Sequence, residues 1–208
     1  MKFYLSSFKM GSEVEKLIRI TRNSNKRVAF ISNALDYLVD LEERKSYEDN
    51  DVSDLKQLGF LVELLDLRNY FNKQIELEGR LKEYDVIWVC GGNTFVLVQA
   101  MKLSGFDIII KRLYEDKVDI VYGGFSAGVC VLGPTLKGIH LVDDPYEKPY
   151  GEQHDVIWDG LGILDYVIVP HYKSEHFESE AIEEVVQYLI ENKMFFITLR
   201  DGEILVIE

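Results

Sequence analysis

Ser126 lies in the pattern Gly-x-Ser-x-Gly, which runs from Gly124 to Gly128. A β-branched run, Val118 to Val121, precedes it and a small-residue apolar segment follows. This order predicts a strand, a tight turn and a helix with the serine at the corner, its hydroxyl turned outward at the helix N-terminus. A serine held in this way can act as a nucleophile. An ordinary glycine-rich strand-to-helix turn would give the same pattern.

A hydroxyl nucleophile needs a base that accepts its proton. His171 follows the strand predicted from Tyr166 to Val169. It can therefore be held at the carboxyl edge of a parallel sheet, where sites in such folds lie. The other histidines, His140, His154 and His176, lie in turn-rich or acidic segments, and we interpret them as exposed surface residues. His171 is the predicted base.

The developing oxyanion needs hydrogen-bond donors. Gly91 and Gly92 follow the predicted strand from Asp85 to Cys90, and without side chains they let a backbone N–H approach a substrate carbonyl. The N–H of Ala127, directly after the serine, would be the second donor. A phosphate-binding turn is the weaker interpretation of the two glycines, because the sequence has neither G-x-G-x-x-G nor a P-loop lysine.

Composition limits the classes of function. The 208 residues, with 47% hydrophobic content, fit a single domain, residues 1–208, with a substantial core. A net charge of −13 argues against nucleic acid and anionic membrane surfaces as partners. The sequence lacks an apolar leader and a membrane-spanning run, so we expect a soluble cytoplasmic protein. Its two cysteines, Cys90 and Cys130, fit buried free thiols, and no ligand spacing predicts a metal site.

Apolar runs alternate with amphipathic helices through the first two thirds of the chain. This alternation predicts a three-layer, doubly wound α/β fold with a mostly parallel sheet. The turn-rich segment from Thr135 to Gly160 is predicted to be a long functional loop. At the C-terminus, Phe195 to Leu199 and Ile204 to Ile207 predict a hairpin across Asp201 and Gly202.

Three motifs together carry a family resemblance. The sequences CGGNT at Cys90–Thr94, GFSAG at Gly124–Gly128 and PHY at Pro170–Tyr172 occur in this order. The chain thereby resembles the dipeptidase E (α-aspartyl dipeptidase) family of serine peptidases, to which cyanophycinases are related. The resemblance spans nearly the whole chain. It implies a class I glutamine-amidotransferase-like, flavodoxin-like fold and cleavage of small peptides near their N-terminus without a cofactor.

The resemblance also implies roles for individual residues. Ser126 would be the nucleophile and His171 the base, with Gly92 and Ala127 donating to the oxyanion. Gly91 and Asn93, on either side of Gly92, are expected to contact the substrate.

The acid that orients His171 is expected, from the resemblance, between the elbow helix and the histidine. Asp143 and Asp144 are adjacent there, and neighbours in an extended segment point to opposite sides. Asp144 precedes Pro145 and suits the start of a surface turn, so we predict Asp143 as the acid. Asp144 and Glu147 remain alternatives.

Substrate and activity class are less constrained. The resemblance to the aspartyl dipeptidases implies arginines soon after the histidine, where they would suit a substrate carboxylate. None occurs between His171 and Arg200, which argues against strict aspartyl specificity. The loop from Lys137 to Gly160 would cover the site and restrict it to short peptides. A carboxylesterase with the same elbow and a non-catalytic binding protein of the same fold are the alternatives. The sequence does not determine the oligomeric state, and a homodimer is compatible with it.

Overall fold

The computed structural model describes residues 1–21, 26–151 and 155–208. The predicted alternation is present as eight strands in these residues. They are β1 (Lys2–Ser6), β2 (Arg27–Ile31), β3 (Leu61–Leu64), β4 (Val86–Val89), β5 (Val121–Phe125), β6 (Val167–Val169), β7 (Phe196–Thr198) and β8 (Ile204–Ile207). Six of them form one sheet in the order β3-β2-β4-β5-β1-β8. Its first five strands are mutually parallel, which confirms the predicted α/β class.

Helices connect these strands. They are α1 (Val14–Ile20), α2 (Leu41–Gln57), α3 (Gln74–Leu81), α4 (Thr94–Ser104), α5 (Phe106–Glu115), α6 (Ala127–Cys130) and α7 (Ser179–Glu191). The chain moves one way across the sheet from β1 to β3 and the other way from β3 to β5. Because parallel crossovers are right-handed, α1 and α2 cover one face and α3 to α5 the other. Among the described residues, every helix is too short or too polar to cross a membrane.

The C-terminal strands differ from the prediction. β8 pairs antiparallel with β1 at the edge of the large sheet, whereas β7 pairs in parallel with β6 in a separate two-stranded sheet. The predicted turn at Asp201 and Gly202 is present, but it joins strands of two sheets and not the two arms of a hairpin. The hairpin prediction is therefore wrong, and the turn lies where the small sheet meets the large one.

Strands β4 and β5 form the centre of the core, and every residue in both is buried. Their close packing explains the glycines of β5. A Cβ on Gly123 would come within 2.5 Å of the Trp88 ring, and one on Gly124 within 2.6 Å of the Val89 carbonyl oxygen. Small residues in β5 therefore let it pack against β4, and the chain then enters the turn at Ser126.

Candidate active site

Ser126 occupies a strained turn directly after β5. Its backbone has φ 48° and ψ −118°, a conformation that a non-glycine residue adopts only where its surroundings enforce it. The Ser126 carbonyl oxygen accepts hydrogen bonds from the N–H groups of Val129 and Cys130, and these bonds form the first turn of α6. A Cβ on Gly128 would lie 2.3 Å from the Val89 oxygen, so the helix can follow the strand this closely only with glycine there. The strand, the strained turn and the helix thus follow one another as the Gly-x-Ser-x-Gly pattern predicts.

His171 follows β6 and is 1% exposed. Its backbone is also strained, with φ 60°. Its Nδ1 lies 2.8 Å from Oδ1 of Asp201. A carboxylate at Nδ1 favours the tautomer that carries a proton there and leaves Nε2 free to accept one. His171 thus has the partner that a general base needs.

Asp201 is that partner, and the sequence analysis missed it. It lies in the turn between β7 and β8, and its backbone N–H donates to Oγ of Ser174 at 2.8 Å. The parallel pairing of β6 with β7 carries the chain to the same edge as His171. The signal in the sequence is an acidic residue shortly after an apolar strand, and a hairpin turn gives the same signal.

Asp143, the acid predicted from the sequence, has a different partner. Its Oδ2 accepts a hydrogen bond of 2.8 Å from the backbone N–H of Thr94, at the start of α4. Burial raises the pKa of Asp143 to about 6, and the hydrogen bond from Thr94 opposes this rise. The partner of the His171 Nδ1 is Asp201, so the geometry does not support Asp143 as the orienting acid. Asp144 is exposed, with its Oδ1 accepting from the N–H of Tyr146.

The turn of Gly91 and Gly92 after β4 lies against the turn that carries Ser126. A Cβ on Gly91 would meet the Phe125 ring at 2.8 Å and Cβ of Ser126 at 3.0 Å. Gly92 has φ 133°, and a Cβ there would lie 2.5 Å from the Ala34 carbonyl oxygen. Both positions therefore require glycine. Gly91 thus lies against Ser126, and Gly92, the predicted oxyanion donor, lines the same cavity as Ser126.

Asn93 uses both ends of its side-chain amide within the protein. Its Oδ1 accepts from the N–H groups of Phe95 and Val96, which caps α4, and its Nδ2 donates 2.9 Å to the Asp144 carbonyl oxygen. This arrangement anchors the loop that carries Asp143 and Asp144 to the start of α4. These contacts give Asn93 a structural role, and the second N–H of its Nδ2 has no hydrogen-bond partner among them.

A cavity of about 470 Å³ contains these groups. Ser126, His171, Gly91 and Gly92 line it, and a volume of this size suits a small-molecule or short-peptide substrate. Val142, Asp143, Asp144 and Glu147 form part of its wall. The loop predicted from Lys137 to Gly160 therefore contributes to the pocket.

The chain is similar to a known family of peptidases. The model of peptidase family S51 matches residues 5–208. The chain belongs to this family. It is 30% identical over 197 residues to the uncharacterized peptidase Lmo0363 of Listeria monocytogenes, covering 93% of this chain and 88% of that protein. It is also 30% identical over 135 residues to peptidase E of Streptomyces coelicolor, covering 62% and 51%.

A solved structure shares the fold. The peptidase from an acI-B1 Actinobacterium superposes with a TM-score of 0.70, at 16% identity, covering 100% of this chain and 83% of that one. The S51 match confirms the resemblance based on CGGNT, GFSAG and PHY, and this S51 protein is a peptidase. Its catalytic residues and its substrate are inferred below from the geometry of the site.

A second histidine in this S51 peptidase lies against the first. The rings of His171 and His176 stack with centroids 3.8 Å apart and planes inclined by 10°. The interpretation of His176 as an exposed surface residue is therefore wrong. Burial lowers the pKa of His171, the nearby imidazole of His176 lowers it further, and the hydrogen bond to Asp201 opposes both. His176 thus favours the neutral form of His171.

His171, His176 and Glu178 also bring possible metal-ligand atoms within 4.8 Å of one another. A metal ion needs lone pairs that converge, and imidazole lone pairs lie in the ring plane. Because the two stacked rings are nearly parallel, their lone pairs do not converge. We therefore interpret His176 and Glu178 as side chains that pack around His171 and not as metal ligands.

The other two histidines lie elsewhere. The His140 ring packs edge-on against Trp158 and Tyr188, each with centroids 5.5 Å apart, and its Nδ1 accepts from the Gly138 N–H. These contacts give His140 a packing role. His154 lies outside the described residues. The thiols of Cys90 and Cys130 are buried, which raises their pKa values and makes them poor nucleophiles.

Proposed function

We propose that this protein is a serine-type peptidase that hydrolyses dipeptides or short peptides near their N-terminus. Ser126 is the nucleophile, His171 the general base and Asp201 the acid that orients the base. The observation that carries the proposal is the strained Ser126 in one cavity with His171, whose Nδ1 is hydrogen-bonded to Asp201. These contacts support a serine triad, which is recognised by the geometry and roles of its members.

The proposed reaction has two halves. Nε2 of His171 accepts the Ser126 proton as Oγ attacks the scissile carbonyl carbon. The N–H groups of Gly92 and Ala127 stabilise the resulting oxyanion. His171 then gives the proton to the leaving amine, the C–N bond breaks and an acyl-enzyme remains. Water, deprotonated by the same imidazole, attacks the ester, and transfer of that proton to Oγ restores Ser126.

The cavity supports a restriction to small substrates. Its walls include the segment around Asp143 and the stretch from His176 to Glu178, so two loops bound the space beside Ser126. A short peptide fits such a space, whereas a folded protein chain does not reach the nucleophile without moving these loops. The geometry thus agrees with the dipeptidase-like activity that the family resemblance implies.

The carboxylesterase alternative shares the elbow, and membership of a peptidase family favours the amide substrate. The test uses purified protein and a fluorophosphonate, which phosphonylates an activated serine. We expect one equivalent to react, with the label on Ser126, and a panel of dipeptides to be hydrolysed faster than matched esters relative to their uncatalysed rates. Stoichiometric labelling with turnover of esters alone would favour the esterase, and absence of labelling would refute the triad.

A further inference from the structure

Ser7 contacts all three proposed triad residues or their backbone, and neither the sequence analysis nor the mechanism above gives it a role. It follows β1 directly and is completely buried. In the parallel ladder Ser6 lies opposite Phe125, so Ser7 lies beside the turn that carries Ser126. The site thus contains a buried hydroxyl placed at its centre by the sheet register.

Ser7 accepts hydrogen bonds from the backbone N–H groups of two strained residues. The N–H of Ser126 donates to the Ser7 carbonyl oxygen at 3.2 Å, and the N–H of His171 donates to Ser7 Oγ at 2.8 Å. Both donors belong to residues with positive φ, which persist only where the surroundings hold them. One residue therefore holds both strained backbones.

The Ser7 hydroxyl also reaches the acid. Its Oγ lies 2.8 Å from Oδ1 of Asp201 and 3.2 Å from the Leu199 carbonyl oxygen. The Asp201 oxygen that it meets is the one hydrogen-bonded to Nδ1 of His171. The hydroxyl can thus accept from the His171 backbone and donate to Asp201 at the same time.

We propose that Ser7 is a positioning residue of this peptidase, which fixes His171 and Asp201 relative to Ser126. The proposal rests on the function proposed above. Without the hydroxyl, Asp201 loses a donor and the His171 N–H loses its acceptor in a buried place. The imidazole then shifts relative to Oγ of Ser126, and a displacement of about 1 Å can lower a rate by about a hundredfold.

The test is the rate constant for phosphonylation of Ser126, measured together with the fraction of protein that reacts. We expect Ser7→Ala to react to full stoichiometry but about ten- to a hundredfold more slowly than the natural protein. Ser104→Ala is the matched control, because Ser104 is also buried and its Oγ donates to the Ala100 carbonyl oxygen within α4, outside the cavity lining. A purely structural role would lower the reactive fraction and leave the rate constant of the remainder unchanged.

Two further variants make the outcome decisive. Ser7→Cys keeps the volume with a weaker hydrogen-bonding group and should also react slowly. In an Asp201→Asn background, Ser7→Ala should add little further loss, because it acts through the same groups. Natural-like rate constants in Ser7→Ala and Ser7→Cys, or failure of both to fold, would overturn the positioning role. Absence of labelling in the natural protein would instead refute the proposed function.

Discussion

His171 and Asp201 are 30 residues apart in the chain, yet Nδ1 of one lies 2.8 Å from Oδ1 of the other. The short parallel pair β6-β7 explains this contact. Val169 is paired with Thr198, so the segments that follow the two strands leave the small sheet at the same end. The turn toward β8 then brings Asp201 back over His171. The contact between His171 and Asp201 therefore depends on the register of two three-residue strands.

The first prediction concerns the orienting acid. Asp201→Asn should lower kcat by about a thousandfold to ten-thousandfold, because an amide at this position stabilises the wrong imidazole tautomer. Asp143→Asn is the control. Its amide oxygen can still accept from the Thr94 N–H, so kcat should change far less. Steady-state kinetics with one dipeptide decide the matter, and the reverse order of effects would return the role to Asp143.

The second prediction concerns the other two triad members. Ser126→Ala and His171→Ala should each lower activity by several orders of magnitude, roughly a millionfold in kcat where chemistry is rate-limiting. Combining them should cost little more, since triad residues act as a unit. Circular dichroism and thermal melts should show a folded protein in each case. Natural-like turnover by folded Ser126→Ala would contradict the serine mechanism.

The parts of the site that sequence could predict are those encoded locally. Ser126 and the glycines beside it form one short pattern whose geometry depends on adjacent residues. His171 follows an apolar strand, and the carboxyl end of a strand is where such residues gather. The three-layer order of strands and helices was predictable for the same reason, because its periodicity is written in consecutive residues.

The remaining parts depend on pairings between distant strands. Asp201 joins the site because β7 leaves the large sheet to pair with β6, and a turn at Asp201-Gly202 fits a hairpin equally well. Ser7 joins it through the β1-β5 register. His176 lies in the loop between β6 and α7, and a loop sequence does not predict that its ring stacks on His171. Long-range register is not encoded in any one stretch.

The third prediction is a pH profile. Burial and the nearby His176 lower the pKa of His171, so the neutral base should persist below pH 6.5, the ordinary pKa of histidine. Activity should fall as pH drops through this lowered pKa, because the imidazolium cannot accept the Ser126 proton. His176→Gln removes the second imidazole and should move the acid limb of kcat/KM to higher pH. An unchanged or lower limb would contradict the role given to His176.

The fourth prediction links the cavity to stability. Burial raises the pKa of Asp143 to about 6, so the folded state holds this proton more tightly than the unfolded chain. The stability linked to that proton is present at pH 4 and is lost as pH rises through 6. Asp143→Asn removes this titration.

The variant should therefore melt higher than the natural protein at pH 8, by roughly 2–4 °C for each kcal/mol recovered, and the difference should shrink toward pH 4. Asp144→Asn, at the exposed neighbouring position, is the control and should change the melting temperature little at either pH. Equal effects of the two variants would contradict a burial cost at Asp143.

The last prediction concerns substrate charge, and it starts from the carboxylates of the cavity. The acidic residues that line it are Glu43, Asp51, Asp143, Asp144, Glu147 and Glu178. Lys9 is the basic residue among the described lining residues, and its Nζ lies 3.8 Å from Oδ2 of Asp54. No described lining residue is an arginine. The cavity thus has a strong excess of negative charge above neutral pH.

The raised pKa of Glu178 reflects both its burial and this excess of negative charge. Burial, together with the charges of Asp143 and Asp201, raises its pKa to about 7. A substrate carboxylate in this cavity would add one more negative charge, whereas an ammonium group would offset the existing ones. At pH 8 we therefore expect kcat/KM to be highest for dipeptides with N-terminal lysine, intermediate for alanine and lowest for aspartate, with about tenfold or more between the extremes.

If charge causes the difference in kcat/KM between the lysyl and the aspartyl dipeptide, two changes should reduce that difference. Raising the salt concentration from 0.05 to about 0.5 M screens the carboxylates, and Glu178→Gln removes one of them, so each should help the aspartyl dipeptide more than the lysyl one. Glu191→Gln, in the last turn of α7 and outside the cavity lining, is the control that changes net charge by the same amount. A peptidase that prefers the aspartyl dipeptide at pH 8, with a preference unmoved by salt, would show that shape and local hydrogen bonds outweigh the charge of the cavity.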